Sequence, residues 1–214
     1  MRKIIFAFAV IFTIIFATGC TASETAPTST PTVAPEPAPS DTAEPEPTEL
    51  QVSHDPRNAT NNPQVNATIN LLLDRDIEAL AEKIQLLEVP CTTADGLGGP
   101  PKCPPGFAEG TVLTVFPVSC GEGSYIGPEP ERVAAAIINY PEPFLFSVIL
   151  LEPHEDIEWY FPNGAYSVIL TFETGEPGRT FRLDDQGMIV QVRTCVLSLE
   201  HEIMTTSGTI LFSK

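Results

Sequence analysis

Between Thr21 and Glu49 the chain carries seven prolines and six acidic residues, with no lysine or arginine, and this tract decides where folding can happen. Such a composition buries too little apolar surface to repay the entropy of ordering the backbone, so it predicts a disordered linker. Proline-rich chain is extended at about 3.1 Å per residue, so the tract could hold a domain up to roughly 90 Å from its point of attachment. Folding is thereby confined to the residues from Pro63 to Lys214, enough for one domain with a real core.

Upstream of the tract, Arg2 and Lys3 precede an almost unbroken apolar run from Ile4 to Phe16, followed by the small residues Ala17, Thr18 and Gly19. This is the layout of an export signal. The run is too short to span, since a bilayer core needs roughly 20 apolar residues in a helix, and polar, acidic chain follows it in place of a basic stop-transfer flank. Ala17-Thr18-Gly19-Cys20 resembles the lipobox of bacterial lipoproteins. That resemblance implies removal of residues 1–19 as a signal peptide and attachment of a diacylglyceryl group, and usually an N-acyl chain such as palmitate, at Cys20. More than one acyl chain anchors stably where one is marginal. The expected organisation is then a lipidated tether over 20–62 and a single domain over 63–214. The expected partner is the membrane, through Cys20, with the domain on the extracytoplasmic face of the cell membrane or outer envelope.

The charge excludes one class of partner. Loss of Arg2 and Lys3 takes the formal charge from −17 to −19, and beyond residue 49 nine lysines and arginines face 22 acids. Affinity for phosphate backbones depends on cationic neutralisation, so nucleic acid is not an expected partner. Besides Cys20 there are four cysteines, Cys91, Cys103, Cys120 and Cys195. An even number in an exported chain points to two disulfides among three connectivities, and no C-x-x-C spacing supports zinc. The favoured pairing is Cys91 with Cys103, clamping the Gly/Pro-rich loop between them, and Cys120 with Cys195.

Hydrophobic periodicity supplies the elements. Val65, Ile69 and Leu72, then Leu73, Ile77, Leu80, Ile84 and Leu87, recur at helical spacing, with a break at Asp74-Arg75, and predict two helices meeting at a corner. "GTVLTVFPVSC" reads as a strand, "PEPERVAAAIINY" as a short helix, and "FLFSVILLE" and "AYSVILTFE" as strands. "RTFRLDDQGMIVQVRT" reads as a hairpin turning at Asp184–Gly187, with Phe181 and Leu183 facing Met188, Val190 and Val192. "TSGTILFSK" reads as a closing edge strand. The expected class is α+β, with N-terminal helices packed on a curved, cone-like antiparallel sheet after the disordered linker.

The interrupted helix "LLLDRDIEALAEKI", followed later by "FRLDDQGMIVQVR", looks like the nuclear transport factor two-like superfamily, which includes the SnoaL-like proteins. The resemblance covers Pro63 to Cys195 in order of elements and implies a cone whose mouth is the default pocket. Members of that superfamily include isomerases, hydrolases, ligand carriers and non-catalytic partner domains, so the fold decides no function.

No catalytic pattern is complete in this chain, so no catalytic residue, metal ligand or cofactor is assigned. The best polar constellation is "EPHEDIEWYFPNG", where His154 and Asp156 could contact a ligand and Trp159 and Tyr160 could form its wall. The leading expectation is a non-catalytic domain binding a small apolar ligand or an envelope protein. The alternative is a SnoaL-like enzyme with His154 or Asp156 as general base. Arg182 and Arg193, on the outward face of the hairpin, are expected to pair with neighbouring acids, with an anion as the other candidate.

Overall fold

The computed structural model describes residues 53–96, 98–119, 124–153, 161–172, 178–196 and 198–214. The N–H of Ser53 donates to Leu211 O at 2.9 Å in a parallel bridge beside Phe212, and Ala59 is already buried in the core. Packed chain therefore begins well before Pro63.

Helix α1 (Pro63–Asp74) starts on Asn62, whose side chain accepts from the N–H groups of Gln64 and Val65, with proline at the first helical position, where its missing N–H costs nothing. It ends where Arg75 turns left-handed at φ 56°, and Asp76 then caps α2 (Ile77–Ala81) by accepting from Ala79 N–H. The corner lies where the sequence puts it, but the second helix is short. Ile84 and Leu87, expected to continue it, lie in extended chain, with Leu87 opening strand β1 (Leu87–Pro90). Gln85 N–H donates to Ile189 O at 3.0 Å and Ile189 N–H to Lys83 O at 2.7 Å. These long-range bonds override a local helical preference.

The remaining elements are β2 (Val112–Ser119), β3 (Ser124–Ile126), α3 (Pro130–Ile137), β4 (Pro143–Leu151), β5 (Tyr166–Phe172), β6 (Arg179–Leu183), β7 (Ile189–Arg193), α4 (Leu199–Thr205) and β8 (Gly208–Ser213). The strands form one eight-stranded sheet in the order β1-β2-β7-β6-β5-β4-β8, with β3 paired to β2 outside that path. This corrects the expected class. The protein is mostly β, with a mixed sheet and only short helices, rather than N-terminal helices packed on a curved antiparallel sheet. The sheet is mixed because β2 joins β7 in parallel, Val118 opposite Val192 and Ser119 opposite Arg193. Two strands so far apart in sequence carry no turn signal that would announce their pairing.

The two faces of the sheet differ in chemistry. Phe116, Leu145, Val148, Val168, Leu170, Phe181, Leu183, Ile189 and Val192 belong to the main buried cluster, as do Val65, Ile69 and Leu72 of α1 and Val133 and Ile137 of α3. The hairpin is present and Val192 faces Phe181 as expected, but Leu183 pairs with Ile189 after a bulge, so Ile189, in place of Met188 and Val190, shares the core face with Phe181, Leu183 and Val192. A one-residue irregularity exchanges the faces, which periodicity alone does not reveal. The turn is latched to α1: Thr68 Oγ1 donates to Gly187 O at 2.7 Å and Asn62 Nδ2 to Asp185 O at 2.7 Å. Gly187 sits at φ 76°, and a Cβ there would stand 2.6 Å from Gln64 O, so only glycine suits both the turn and the close approach.

Cys91 and Cys103 form the expected disulfide. Just beyond the clamp, Glu109 accepts from both the N–H and the hydroxyl of Thr93 within it, and these hydrogen bonds hold its carboxyl below the usual glutamate range. A carboxylate with a depressed folded-state pKa contributes its stability above the unfolded pKa and loses it as pH falls through the folded value. Hydrogen exchange should therefore show the Thr93 amide losing protection, relative to the β5 amides, as the pH is lowered through the carboxylate range. Glu109→Gln should flatten that dependence. In the main core, Phe181→Ala should destabilise the domain by about 3–5 kcal/mol in urea unfolding, since it empties a fully buried site.

Candidate functional site

On the side of the sheet away from the main core, alternation along the strands places Thr180 and Arg182 of β6, Gln191 and Arg193 of β7 and Ser167 of β5 together. Register makes Ser167 the direct partner of Arg182 on one side and Gln191 its partner on the other. Residues directly opposite in an antiparallel pair share a face, so these polar groups form one layer.

Helix α4 brings an acid to that layer. Ser198 caps it, accepting from His201 N–H, and one turn on Glu202 is only 4% exposed. Arg193 donates to Glu202 Oε1 at 2.7 Å, and Thr180 Oγ1 donates to the same oxygen at 3.2 Å. Arg193 thus finds the acid the sequence reading expected. Arg182 does not: among the described residues its guanidinium makes neither a hydrogen bond nor an ion pair. Burial, with Arg193 adding repulsion and Glu202 opposing it, pushes Arg182 down to about 10, so it remains charged at neutral pH. Its register partner Ser167 is fully buried, and the Ser167 hydroxyl has no hydrogen-bond partner. A half-buried cation with no ion pair of its own beside a buried hydroxyl without a partner is a costly arrangement to keep, on the order of 1–3 kcal/mol for the hydroxyl alone.

Arg182 opens onto a cavity of about 280 Å³ whose walls include Glu152, Asn163, Thr205, Thr206 and Ser207. Its sides come from the end of β4, the approach to β5 and the α4–β8 junction, three chain segments that only the folded sheet brings together. A larger, open groove of about 650 Å³ runs past Pro101, Pro104, Tyr125 and Pro128. It lacks a convergent set of buried polar groups, so it is the weaker site despite its size. Among the described residues no group of three or more His, Cys, Asp and Glu is placed to hold a metal ion, and no helix is long and apolar enough to cross a membrane.

Of the residues singled out from sequence, His154, Asp156, Trp159 and Tyr160 lie outside the described residues, as do Cys20 and Cys120. Cys195 stands in a disulfide. Glu152, Thr205, Thr206 and the buried Glu202 were not anticipated. A signal for α4 does exist: Ser198 followed by Glu200 and Glu202 is a capping serine with acids in the first turn. Comparison with protein-family models, with curated proteins and with solved structures finds no match. A functional reading therefore rests on this chain's own geometry.

The unequal situations of the two arginines make a stability test. Glu202→Ala removes the acceptor for Arg193 and Thr180, and because Arg193 is 39% exposed and can regain water, the loss should be about 1–3 kcal/mol in urea unfolding rather than that of a fully buried pair. Arg182→Gln should be neutral or stabilising at pH 7: a cation with a lowered folded-state pKa costs stability at every pH below that value, and the uncharged amide removes the cost.

Proposed function

We propose that the protein is a lipid-anchored extracytoplasmic binding protein whose domain holds a small anionic ligand in the Arg182 cavity without acting on it chemically. The observation that carries this reading is the half-buried Arg182 guanidinium, open to a cavity and in no ion pair or hydrogen bond among the described residues. Proteins retain such uncompensated charges at functional sites more often than in scaffolding, because stability is lost by keeping them. The ligand carries charge, in contrast to the small apolar ligand that the sequence suggested, since hydroxyl, amide and carboxylate side chains stand around Arg182, while Leu151 and Pro153 supply an apolar part of the wall.

The location follows from the N-terminal residues. Arg2 and Lys3, the apolar run from Ile4 and the small residues before Cys20 supply a lipobox-like signal, and the clamp between Cys91 and Cys103 suits an oxidising compartment. The second pairing proposed, Cys120 with Cys195, has support from register: β2 and β7 run parallel and bring Ser119 beside Arg193, one residue before Cys120 and two before Cys195. Membrane attachment through Cys20 then keeps the ligand site at the cell surface on a long proline-rich tether.

Two measurements check the reading. Expressed as the full chain in a bacterial host, the protein should fractionate with membranes and carry a diacylglyceryl thioether at Cys20 by mass spectrometry, and Cys20→Ser should release it in soluble form. An unmodified N-terminus downstream of Cys20 would remove the anchor. In thermal unfolding of the full chain in detergent, millimolar acetate or propionate at constant ionic strength should raise the midpoint of the wild type and leave Arg182→Gln unmoved. Equal responses from both would remove the cavity from consideration as an anion site.

A further inference from the structure

The cavity is not uniformly positive. Arg182 and Glu152 both line it, yet they form no ion pair with each other, so opposite charges are presented from different parts of one small space. The two threonines fall on the acceptor side. Thr206 Oγ1 donates to Glu202 O at 2.7 Å and Thr205 Oγ1 to His201 O at 2.8 Å. A hydroxyl has a single hydrogen, so with these committed each oxygen has only lone pairs left for a further partner. Both threonines stand at the carbonyl end of α4, where the helix favours positive charge. One portion of the wall therefore calls for an anion, and another calls for a hydrogen-bond donor or a cation.

Charge decides between anion classes. Arg193 is already engaged with Glu202, which leaves a single guanidinium, and a carboxylate at the wall opposes any second negative charge. A phosphate dianion would face that repulsion, whereas a carboxylate brings one charge that the planar guanidinium fork matches in a bidentate manner. At about 280 Å³ the cavity lies just under the range of about 300–1,000 Å³ found for drug-sized ligands, so the occupant is small.

We propose, on the basis of the anion-site reading above, that the ligand is a small zwitterion, an amino-carboxylate whose carboxylate meets Arg182 while its ammonium group meets Glu152 and the Thr205 and Thr206 oxygens. Specificity would come from the pair of charges together: a carboxylate alone leaves Glu152 unanswered, and an amine alone leaves Arg182 so.

Titration calorimetry on the full chain in detergent tests this with three probe series: the standard L-amino acids with ω-amino acids of increasing length, the n-alkanoates of matching length, and inorganic phosphate. At least one amino-carboxylate should bind about tenfold or more tightly than its matching alkanoate, the increment expected of one charge-assisted contact. Glu152→Gln should erase that advantage by weakening amino-carboxylate binding while alkanoate binding is kept or tightened, since the repelling carboxylate is gone, and since Glu152 is exposed the variant should keep its fold. Arg182→Gln should abolish binding of both series. Alkanoates binding as tightly as every amino-carboxylate, an unaltered preference in Glu152→Gln, or phosphate binding most tightly of all would overturn the zwitterion and leave the anion site standing. No binding of any carboxylate would overturn both.

Discussion

The parallel contact between β2 and β7 holds this architecture together. It consists of two registered pairs, Val118 with Val192 and Ser119 with Arg193, yet through it the early strands β1 to β3 join the later antiparallel run. The same β7 edge is used a second time, by the extended chain around Ile84. One short strand thus receives two upstream segments, and the sheet becomes mixed for that reason. It also fixes the polar layer, because Arg193 can reach Glu202 only while β7 is held in this register.

The two faces of the central strands settle different questions. Val168, Leu170, Phe181 and Leu183 build the main core and supply the burial that holds the domain together. Thr180, Arg182, Gln191 and Ser167 alternate with them and carry the chemistry. Period-two alternation usually separates core from solvent. Here α4 covers part of the second face, so Ser167, Thr180 and Glu202 are buried there as well. That covering turns an ordinary solvated arginine into a half-buried one, and the cavity beside it into a place where a single charge matters.

Much of this was legible in residues whose signals are local. Asn62 and Pro63 mark the start of α1, the Asp74-Arg75 break marks its end, and Asp184–Gly187 announces the hairpin. The clamp from Cys91 to Cys103 was legible for the same reason, since its loop is short and cannot hold itself. What was not legible is non-local. Ile84 and Leu87 fit helical spacing but lie in extended chain, because β7 offers backbone partners that outweigh local preference. The bulge at Arg182–Leu183 moved Ile189 to the core face without any mark in composition. Of Arg182 and Arg193, sequence could pair one or both with acids. Which one is left unpaired depends on where α4 docks, a matter of tertiary packing.

The place where the chain enters the domain has a mechanical meaning. Ser53 joins the sheet beside Phe212 on β8, and β8 is in turn bonded to β4 at the strand that ends at Leu151. A force applied at Ser53 along the strand direction would load its slanted parallel bond to Leu211 and then the perpendicular β8–β4 bonds in shear rather than peel them one at a time. The first elements strained would be β8 and the α4–β8 junction that walls the cavity. Pulling at Ser53 and occupancy of the cavity would thereby act on the same few bonds.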